Sequence, residues 1–412
     1  MNTPQLADAL RAAALQAAIK GELTERSSEN ARDLLLRIQN EKQALQAKGS
    51  LKKTKAPAPV TADEVPFDIP ENWVWVRLGD VILQNIGGGT PSILSRPMME
   101  NVLCAVCEVF LKKKAMGKNR QDFEFTVECN PGTVSLDKLR SFRSFGVNRL
   151  SLGTQSFQDR LLKKIGRIHT SAETVEAVQA ARRAGFTNIS LDLMYALPGE
   201  TLMDFECDLA SLVALHPSHI SVYGLILEHG TMLEKLVLEG RVFLPNEDEN
   251  EAMYDLMTAY LPRHGYERYE ISSFSKRGFE SRHNLSYWQD IPYLGLGAAA
   301  HSYIGGRRYE NLHGIEAYIR AIESGTASRL KEAEYSEKIH MEEFAFLALR
   351  TVKGLSKEAF RKSFGVSVEN VYRKVMEDMT GKGLLEEKNG FLRLTEQGMK
   401  FGNVVFEAFL LD

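Results

Sequence analysis

The chain has 412 residues, of which 44% are hydrophobic and 25% are charged, and its formal net charge is −3. This composition is typical of a globular protein of two or three domains and excludes a disordered, collagen-like or membrane-embedded chain. The near balance of charge gives the whole protein no general attraction to nucleic acid. Four cysteines are too few for a disulfide scaffold and fit a reducing compartment. Asp8 and Arg11 interrupt the apolar stretch that a signal peptide needs, and no apolar run is long enough to span a membrane, so we expect a cytoplasmic protein.

Residues 1–48 are predicted to form helices. They are rich in Ala, Leu, Gln, Glu and Lys, and their apolar residues recur at helical spacing, as at Leu34, Ile38 and Leu45. A helical hairpin and a coiled-coil fragment explain this pattern equally well. The chain that follows, up to Pro66, carries lysines and Ala-Pro repeats, which favour an extended linker.

From about Phe123, short apolar or β-branched runs alternate with helical stretches. The runs read FEFTVE, RLSLGTQ, NISLDLM, HISVYGL and YERYEIS. This alternation predicts βαβ units around a parallel sheet, and a full or partial (β/α) barrel is the economical arrangement. Residues 170–173 have the spacing of a capping box, and Ser135 and Thr201 lie where helices should begin. Gly146 and Gly185 lie where helices should end.

A third region starts near Tyr335 and predicts a small C-terminal domain. Three amphipathic helices lead into two alternating stretches joined by Asn389-Gly390, which is typical of a hairpin turn. Three helices and a hairpin indicate a winged-helix-like unit. Because its third helix has no excess of basic residues, we expect a packing or protein-contact module rather than a DNA reader.

The densest local motif is the string IGGGTPS at residues 86–92. Consecutive glycines let the backbone approach a ligand closely, and their amides can hold a carboxylate or a phosphate. The string lacks the G-x-G-x-x-G pattern and the Walker lysine, which argues against dinucleotide and P-loop sites.

Polar residues follow several of the predicted strands. Glu128, Gln155, Asp192 and Tyr223 lie at or near four successive strand ends. Active sites of barrel folds form at the carboxyl ends of the strands. These side chains therefore predict a ligand site at the end of the barrel where the carboxyl ends of the strands meet.

Two further motifs carry residues that are able to bind metals. The string HNLSYW at 283–288 precedes a Gly/Ala loop that ends at His301, and the two imidazoles around a Tyr-Trp pair suit a flat ligand such as heme. Ordinary core or surface histidines are the alternative, and His216 and His340 show no comparable setting. Cys104 and Cys107 are expected to share the apolar face of a helix and to serve in packing rather than in metal binding.

Residues 86–412 closely resemble the radical S-adenosylmethionine (SAM) family of oxygen-independent coproporphyrinogen III oxidase-like proteins, and within it the heme chaperone branch. The strings that carry the resemblance are GGGTPSILS, EFTVECNPGT, RLSLGTQSF, SLDLMYALPGET, YEISSFSKRGFESRHNLSYW and YLGLGAAAHSY. The resemblance implies that SAM and heme are the bound groups and that heme-accepting proteins are partners. It places the SAM contacts on the following residues: Gly88, Gly89, Thr90, Glu128, Gln155, Arg167 and Asp192. It also makes His283 of HNLSYW a heme ligand.

The family's C-x3-C-x2-C loop, whose thiolates hold a [4Fe–4S] cluster, has no counterpart in this chain. No cysteine precedes Gly87, and Cys104 and Cys107 follow the glycine motif. The resemblance therefore implies a partial barrel that lacks its first strand and exposes a sheet edge, with impaired cluster chemistry and no assignable catalytic or metal-binding residue.

Residues 1–85 resemble the specificity subunit of a type I restriction-modification enzyme. LRAAALQAAIKGEL is similar to its helical segment, and IPENWVWVRLGDV is similar to the start of a target-recognition domain. A GGTPS-like string is common to both families, so we infer a chimera joined near residues 87–92. The implied domains are a helical segment (1–48), a linker with a truncated recognition domain (49–85), the radical SAM-like barrel with the HNLSYW region (86–325) and the winged-helix-like domain (326–412).

Three functions follow from these resemblances. The first is a radical SAM heme chaperone whose cluster chemistry is impaired. The second is a non-catalytic heme-binding protein, and the third is a DNA specificity fragment, although DNA binding by residues 1–85 is not expected because most of the recognition domain is missing.

Overall fold

A computed structural model of the chain describes residues 96–107, 123–325, 329–331 and 335–411, together with residues 36 and 40. The chain divides into two compact units, Met1–Gly89 and Thr90–Asp412. Leu36 and Asn40 are helical, and every other described residue belongs to the second unit. The linker, the IGGGTPS string and the remainder of the predicted N-terminal helices lie outside the described residues.

The second unit is built on a six-stranded sheet. Its strands are β1 (Thr126–Cys129), β2 (Arg149–Gln155), β3 (Asn188–Tyr195), β4 (His219–Gly224), β5 (Glu267–Glu270) and β6 (Ser273–Ser275). Their order is β1-β2-β3-β4-β6-β5, in which β1 to β4 are parallel and β6 is antiparallel to both β4 and β5. The parallel sheet is confirmed. The segment YERYEIS contributes β5, but a tight hairpin inserts β6 between it and β4.

Helices connect the parallel strands. They are α1 (Arg96–Val106), which precedes β1, then α2 (Leu136–Ser144), α3 (Asp159–Lys164), α4 (Ser171–Arg183), α5 (Leu202–Ala214), α6 (Met232–Leu238) and α7 (Glu247–Arg263). The predicted helix starts are confirmed, since Thr170 and Glu173 form a capping box and Thr201 and Ser135 cap α5 and α2. The predicted C-terminal glycines have positive φ, as Gly146 does at 93°, so each can end a helix without a Cβ clash.

The two faces of the parallel sheet differ in chemistry. Leu150, Leu152, Leu191, Leu193 and Ile220 are fully buried in the main hydrophobic core on one face. The residues between them point to the other face because side chains alternate along a strand. Among the described residues, β1 and β5 form the two edges of this sheet, so the barrel is open.

A second, antiparallel sheet follows the helix that contains HNLSYW. This helix is α8 (Arg282–Trp288), and the sheet contains β7 (His301–Ile304), β8 (Arg307–Asn311) and β9 (Arg329–Lys331), with α9 (Ile315–Ser324) between β8 and β9.

The C-terminal region has its own core. Its elements are α10 (Glu337–Leu349), β10 (Leu355–Ser356), α11 (Lys357–Phe364), α12 (Val368–Gly381), β11 (Leu385–Lys388), β12 (Phe391–Leu394), α13 (Glu396–Lys400) and α14 (Gly402–Ala408). Phe360, Tyr372 and Phe409 are buried in this core. Asn389 and Gly390 have φ of 53° and 78°, as the predicted hairpin turn requires. The predicted helices and hairpin are confirmed.

In the part of the chain that the structure describes, every helix is too short or too polar to cross a membrane.

Candidate functional site

The polar face of the sheet is lined by side chains in register on neighbouring strands. Ser151 pairs with Ser190, and Asp192 pairs with Ser221 on the next strand. Arg149 and His219 share this face and are buried. Buried polar residues on adjacent strands form an interior that can hold a polar ligand.

Asp192 is the acidic centre of this face. Ser151 donates to it at 3.0 Å, Oγ to Oδ2, and Ser190 donates to it at 3.3 Å, Oγ to Oδ1. Burial raises the pKa of Asp192 to about 6, although the Ser151 hydrogen bond and the Arg149 charge oppose the rise. The carboxylate therefore titrates close to neutral pH.

A chain of hydrogen bonds joins Asp192 to the start of α8. Ser190 Oγ lies 2.8 Å from His219 Nδ1, and His219 Nε2 lies 2.8 Å from the Tyr269 hydroxyl. The Ser281 amide, at the N-cap of α8, donates to the same hydroxyl at 3.3 Å. When Asp192 is ionised, Ser190 gives it its only proton, so His219 must donate from Nδ1 and accept the Tyr269 proton at Nε2. Burial lowers the pKa of His219 to about 3, which keeps this imidazole neutral.

Arg167 and Gln155 meet at the carboxyl end of β2. The Arg167 guanidinium donates to the Gly153 carbonyl at 2.8 Å and also to the side-chain oxygen of Asn130, which follows β1. Burial lowers the pKa of Arg167, and the charge of Asp192 opposes this change. Gln155 has a φ of 64°, a left-handed conformation that is strained for a residue with a Cβ and that tends to occur at functional sites.

Asp208, which the sequence analysis did not single out, holds the chain directly after Gln155. Its carboxylate accepts from Ser156 Oγ at 2.6 Å, from the Phe157 amide at 3.0 Å and from Gln158 Nε2 at 3.0 Å. It is fully buried on α5. Asp208 could have been found from the sequence, because it lies on the same helix face as the apolar residues Phe205 and Leu209. A carboxylate on such a face needs buried hydrogen-bond donors.

The structure thus brings four of the predicted SAM contacts to adjoining strands and loops. Glu128 lies near the end of β1 and is exposed, Gln155 ends β2, Arg167 lies between α3 and α4, and Asp192 lies within β3. Tyr223 lies near the end of β4. Gly88, Gly89 and Thr90 lie outside the described residues.

His283 lies on α8 with an exposed side chain. Its Nε2 lies 3.0 Å from the Tyr287 hydroxyl, and the two rings meet edge to face with centroids 4.8 Å apart. Its backbone amide donates to Glu124 at 3.2 Å, which anchors the first turn of α8 beside β1. His301 lies on β7, where it is exposed and faces Glu310. The surroundings of His283 leave its imidazole accessible to a ligand.

His340 has a richer setting than its sequence context indicated. Its Nε2 lies 2.7 Å from Asp290 Oδ2 and 3.0 Å from the Tyr303 hydroxyl. Aromatic rings surround the imidazole, and the ring centroid of Phe364 lies 4.9 Å away. These partners come from the turn after α8, from β7 and from α11, so no local sequence motif could have predicted them.

The expectation that Cys104 and Cys107 share one apolar face is wrong for Cys104. Leu103 is buried on α1, and Cys107, four residues further and directly after the helix, is half-buried and its Sγ donates to the Phe145 carbonyl at 2.8 Å. Cys104 is rotated away from Leu103 and is exposed. Cys129 is buried at the end of β1 and Cys207 is exposed on α5. Among the described residues, no group of three or more His, Cys, Asp and Glu side chains is placed to hold a metal ion.

Comparisons with known proteins match most of the chain. The family model of the radical SAM superfamily matches residues 71–211, and that of the HemN C-terminal domain matches residues 335–401. The heme chaperone HemW of Bacillus subtilis (strain 168) is 39% identical over 325 residues, which cover 79% of this chain and 84% of the relative. HemW of Lactococcus lactis (strain IL1403) is 40% identical over 327 residues, with the same coverage of 79% and 84%.

A solved structure shares the fold. The radical SAM enzyme HemN of Escherichia coli, a coproporphyrinogen III oxidase, superposes with a TM-score of 0.65 at 20% identity. The superposition covers 78% of this chain and 76% of the other.

Proposed function

Because this chain belongs to the heme chaperone HemW family of radical SAM proteins, we propose that it binds SAM along its open sheet and takes up heme for delivery to other proteins. The observation that carries the SAM site is the convergence of Glu128, Gln155, Arg167 and Asp192 on β1, β2 and β3 and the adjoining loop. The cytoplasmic location expected from the sequence stays a prediction.

The residues present fit SAM. A Cβ at Gly153 would lie 2.9 Å from Arg167 Nη2, so this glycine leaves room for the guanidinium at the strand end. Glu128 is exposed there and is able to bind the ammonium group, while Asp192 and Gln155 have the acceptors and donors that ribose hydroxyls need. Arg167 would bind the carboxylate, and the amides of Gly88, Gly89 and Thr90 would complete the site.

A [4Fe–4S] cluster would supply the electron for reductive cleavage of SAM, but the cysteines of this chain do not fit such a cluster. The sequence has four cysteines and no C-x3-C-x2-C loop. Burial raises the pKa of Cys129 to about 12, so its thiol resists the ionisation that iron binding requires. We therefore expect no assembled cluster and derive no reaction through one.

Anaerobic reconstitution with iron and sulfide tests this expectation. We expect substoichiometric iron and no cluster signal in optical and EPR spectra. The matched control is a Cys104→Ser, Cys107→Ser, Cys129→Ser variant, which should retain the same background iron. One [4Fe–4S] cluster per chain, lost in the variant, would contradict the proposal.

Heme uptake is assigned to His283. A heme titration followed by the Soret band should show a weaker affinity for His283→Ala than for the intact chain. His229→Ala is the matched control because the side chain of His229 is fully exposed and remote in sequence from HNLSYW. Equal affinities of the two variants would remove His283 from the proposal and leave a heme-binding protein without this ligand.

We also propose that residues 1–85 derive from a restriction specificity subunit and that they do not read DNA. The resemblance of residues 1–85 to that subunit motivates the proposal, and the HemW alignments leave about a fifth of the chain unmatched. The match to the radical SAM model begins at residue 71, so it includes residues 71–85 and counts against a join as late as residues 87–92. A sequencing read across codons 80–100 in the source genome tests the join. Salt-dependent binding of duplex DNA by the chain would contradict the proposal that residues 1–85 do not read DNA.

A further inference from the structure

The first turn of α8 is held by hydrogen bonds to side chains of the large sheet and of the segment before it. Glu124, which precedes β1, accepts from the Arg282 amide at 3.1 Å and from the His283 amide at 3.2 Å. The amide of Ser281, the N-cap of the helix, donates to the Tyr269 hydroxyl at 3.3 Å. Glu124 and Tyr269 therefore anchor the start of this helix to two different parts of the sheet.

Tyr269 lies at an irregular point in the sheet. The pairing of β5 with β6 shifts between Arg268 and Glu270, and Tyr269 lies inside this shift. Irregularities of this kind re-aim a side chain and are common beside functional sites. Here the Tyr269 hydroxyl lies between the Ser281 amide and the Nε2 atom of His219, which is 2.8 Å away.

The hydrogen bonds between Tyr269 and Asp192 all run in one direction when Asp192 is ionised. Tyr269 then donates to His219, which donates to Ser190. Ser190 in turn donates to Asp192. Ser190 and His219 are fully buried, so water does not replace a missing partner in the middle of this chain of bonds. Asp192 keeps part of its surface exposed, so a ligand is able to reach the acidic end.

Protonation of Asp192 permits the reverse direction. The carboxylic acid then donates to Ser190, which donates to His219 Nδ1, and His219 takes its other tautomer and donates from Nε2 to the Tyr269 oxygen. The Tyr269 proton turns to another acceptor, and Ser273 Oγ lies beside it, buried and without a hydrogen-bond partner among the described residues. Two donors then compete for the Tyr269 oxygen, which weakens its bond to the amide at the start of α8.

Asp192 lies among charged and titratable groups from the neighbouring elements. Burial raises the pKa of Asp192 to about 6, Arg149 of β2 opposes the rise, and Glu128 of β1 adds to it. Tyr223 of β4 and Arg167 also face this carboxyl group. Asp192 therefore passes between its two forms close to neutral pH, and a bound ligand is able to select one of them.

We propose that Tyr269 and His219 are positioning residues that transmit the state of Asp192 to α8, the helix that contains HNLSYW. A ligand whose hydroxyl groups donate to Asp192 keeps this group ionised and so strengthens the bond between Tyr269 and α8. By linkage, a firmly held α8 favours that ligand to the same degree. The choice of SAM as the ligand rests on the proposed function, whereas the link from Asp192 to α8 rests on the hydrogen bonds described above.

Hydrogen–deuterium exchange of the full chain, measured on peptides that contain residues 281–284, tests this link. After correction for intrinsic rates, the wild type should exchange more slowly as the pH rises through about 6, because ionised Asp192 keeps the Ser281 amide bonded. The expected change at this amide is about tenfold, as for one buried hydrogen bond. Asp192→Asn should abolish the change, and saturating SAM should restore the protection that the wild type loses near pH 5.

Tyr269→Phe removes the hydroxyl and keeps the ring, so the exchange of residues 281–284 should no longer respond to pH or to SAM. Tyr266→Phe is the matched control, because it also removes a buried tyrosine hydroxyl, one that donates to the Pro217 carbonyl at 2.9 Å. This control should keep both responses of the wild type. A loss of stability alone would affect the two variants alike.

Exchange that does not respond to pH in the wild type, or equal behaviour of Tyr269→Phe and Tyr266→Phe, would overturn the proposal. Equilibrium dialysis measures SAM binding separately. A chain that binds no SAM, but whose α8 responds to pH through Asp192, would support the link and remove the proposed SAM site. A chain that binds SAM near pH 5 without any change in the exchange of α8 would overturn the link and leave the SAM site standing.

Discussion

Glu200 is a buried carboxyl group, and its effect on the stability of the fold can be tested directly. It follows β3 in the turn that leads into α5, and only 3% of its surface is exposed. Its Oε2 accepts from the Leu197 amide at 2.9 Å, whereas its Oε1 is buried without a partner among the described residues. Burial, with smaller contributions from Asp208 and Asp204, raises the pKa of Glu200 from its usual value near 4.5 to about 8.

The magnitude follows from proton linkage. Each tenfold change in proton affinity corresponds to about 1.4 kcal/mol, so the rise in the pKa of Glu200 amounts to about 5 kcal/mol. Below pH 4.5 the group is protonated in both states and costs nothing. Between pH 4.5 and about 8 the unfolded chain loses this proton while the native chain keeps it, so the free energy of unfolding falls as the pH rises. Above about pH 8 Glu200 is ionised in both states, and the free energy of unfolding falls no further on its account.

The substitution Glu200→Gln keeps the acceptor for the Leu197 amide and removes the titration. Urea unfolding followed by circular dichroism should show a variant within about 1 kcal/mol of the wild type near pH 5, and more stable by up to about 5 kcal/mol near pH 8.5. Glu206→Gln, at an exposed position on α5, is the matched control and should show no such growth. A difference between Glu200→Gln and the wild type that stays constant across this pH range would refute the reasoning.

Four further substitutions test the site and the fold. Gly153→Ala places a Cβ 2.9 Å from Arg167 Nη2 and should weaken SAM binding about tenfold in equilibrium dialysis, with the melting temperature little changed. Asp208→Ala leaves three donors after β2 without their acceptor and should lower the free energy of unfolding by about 3 kcal/mol in urea titrations. Phe360→Ala, at a fully buried position of the C-terminal core, should cost about 3–5 kcal/mol in the same assay. Thr170→Ala removes the capping box of α4 and should cost about 1 kcal/mol, and a cost near zero would show that the cap is dispensable.

Local signals predicted the secondary structure well because the forces that begin and end these elements act over a few residues. The hydroxyl of Thr170 binds an amide three positions away, and Gly146 adopts its positive φ through its own lack of a Cβ. The same holds for the Asn389-Gly390 turn. The insertion of β6 between β4 and β5 was not predictable in this way, because strand order depends on pairings between distant segments.

Part of the candidate site was also predictable from local sequence, and part depended on contacts between distant segments. Glu128, Gln155 and Asp192 were recognisable because the carboxyl ends of parallel strands meet at one edge of a sheet whatever the intervening helices contain. The anchoring of the loop after β2 by Asp208 joins residues about 50 positions apart, and the link from Asp192 through His219 to Ser281 spans a still longer part of the chain.

The sequence by itself determined the elements, the family and the residue types at the strand ends, because these follow from short-range periodicity and from motifs. Only the tertiary structure decided which carboxyl groups lose water, which donors are left without acceptors, and that His219 and Tyr269 join Asp192 to α8. The physical reason is that burial and hydrogen-bond partners depend on every segment packed around a side chain. The pKa of a glutamate therefore cannot be read from the sequence alone, because it depends on the burial and the hydrogen-bond partners that the fold gives the side chain.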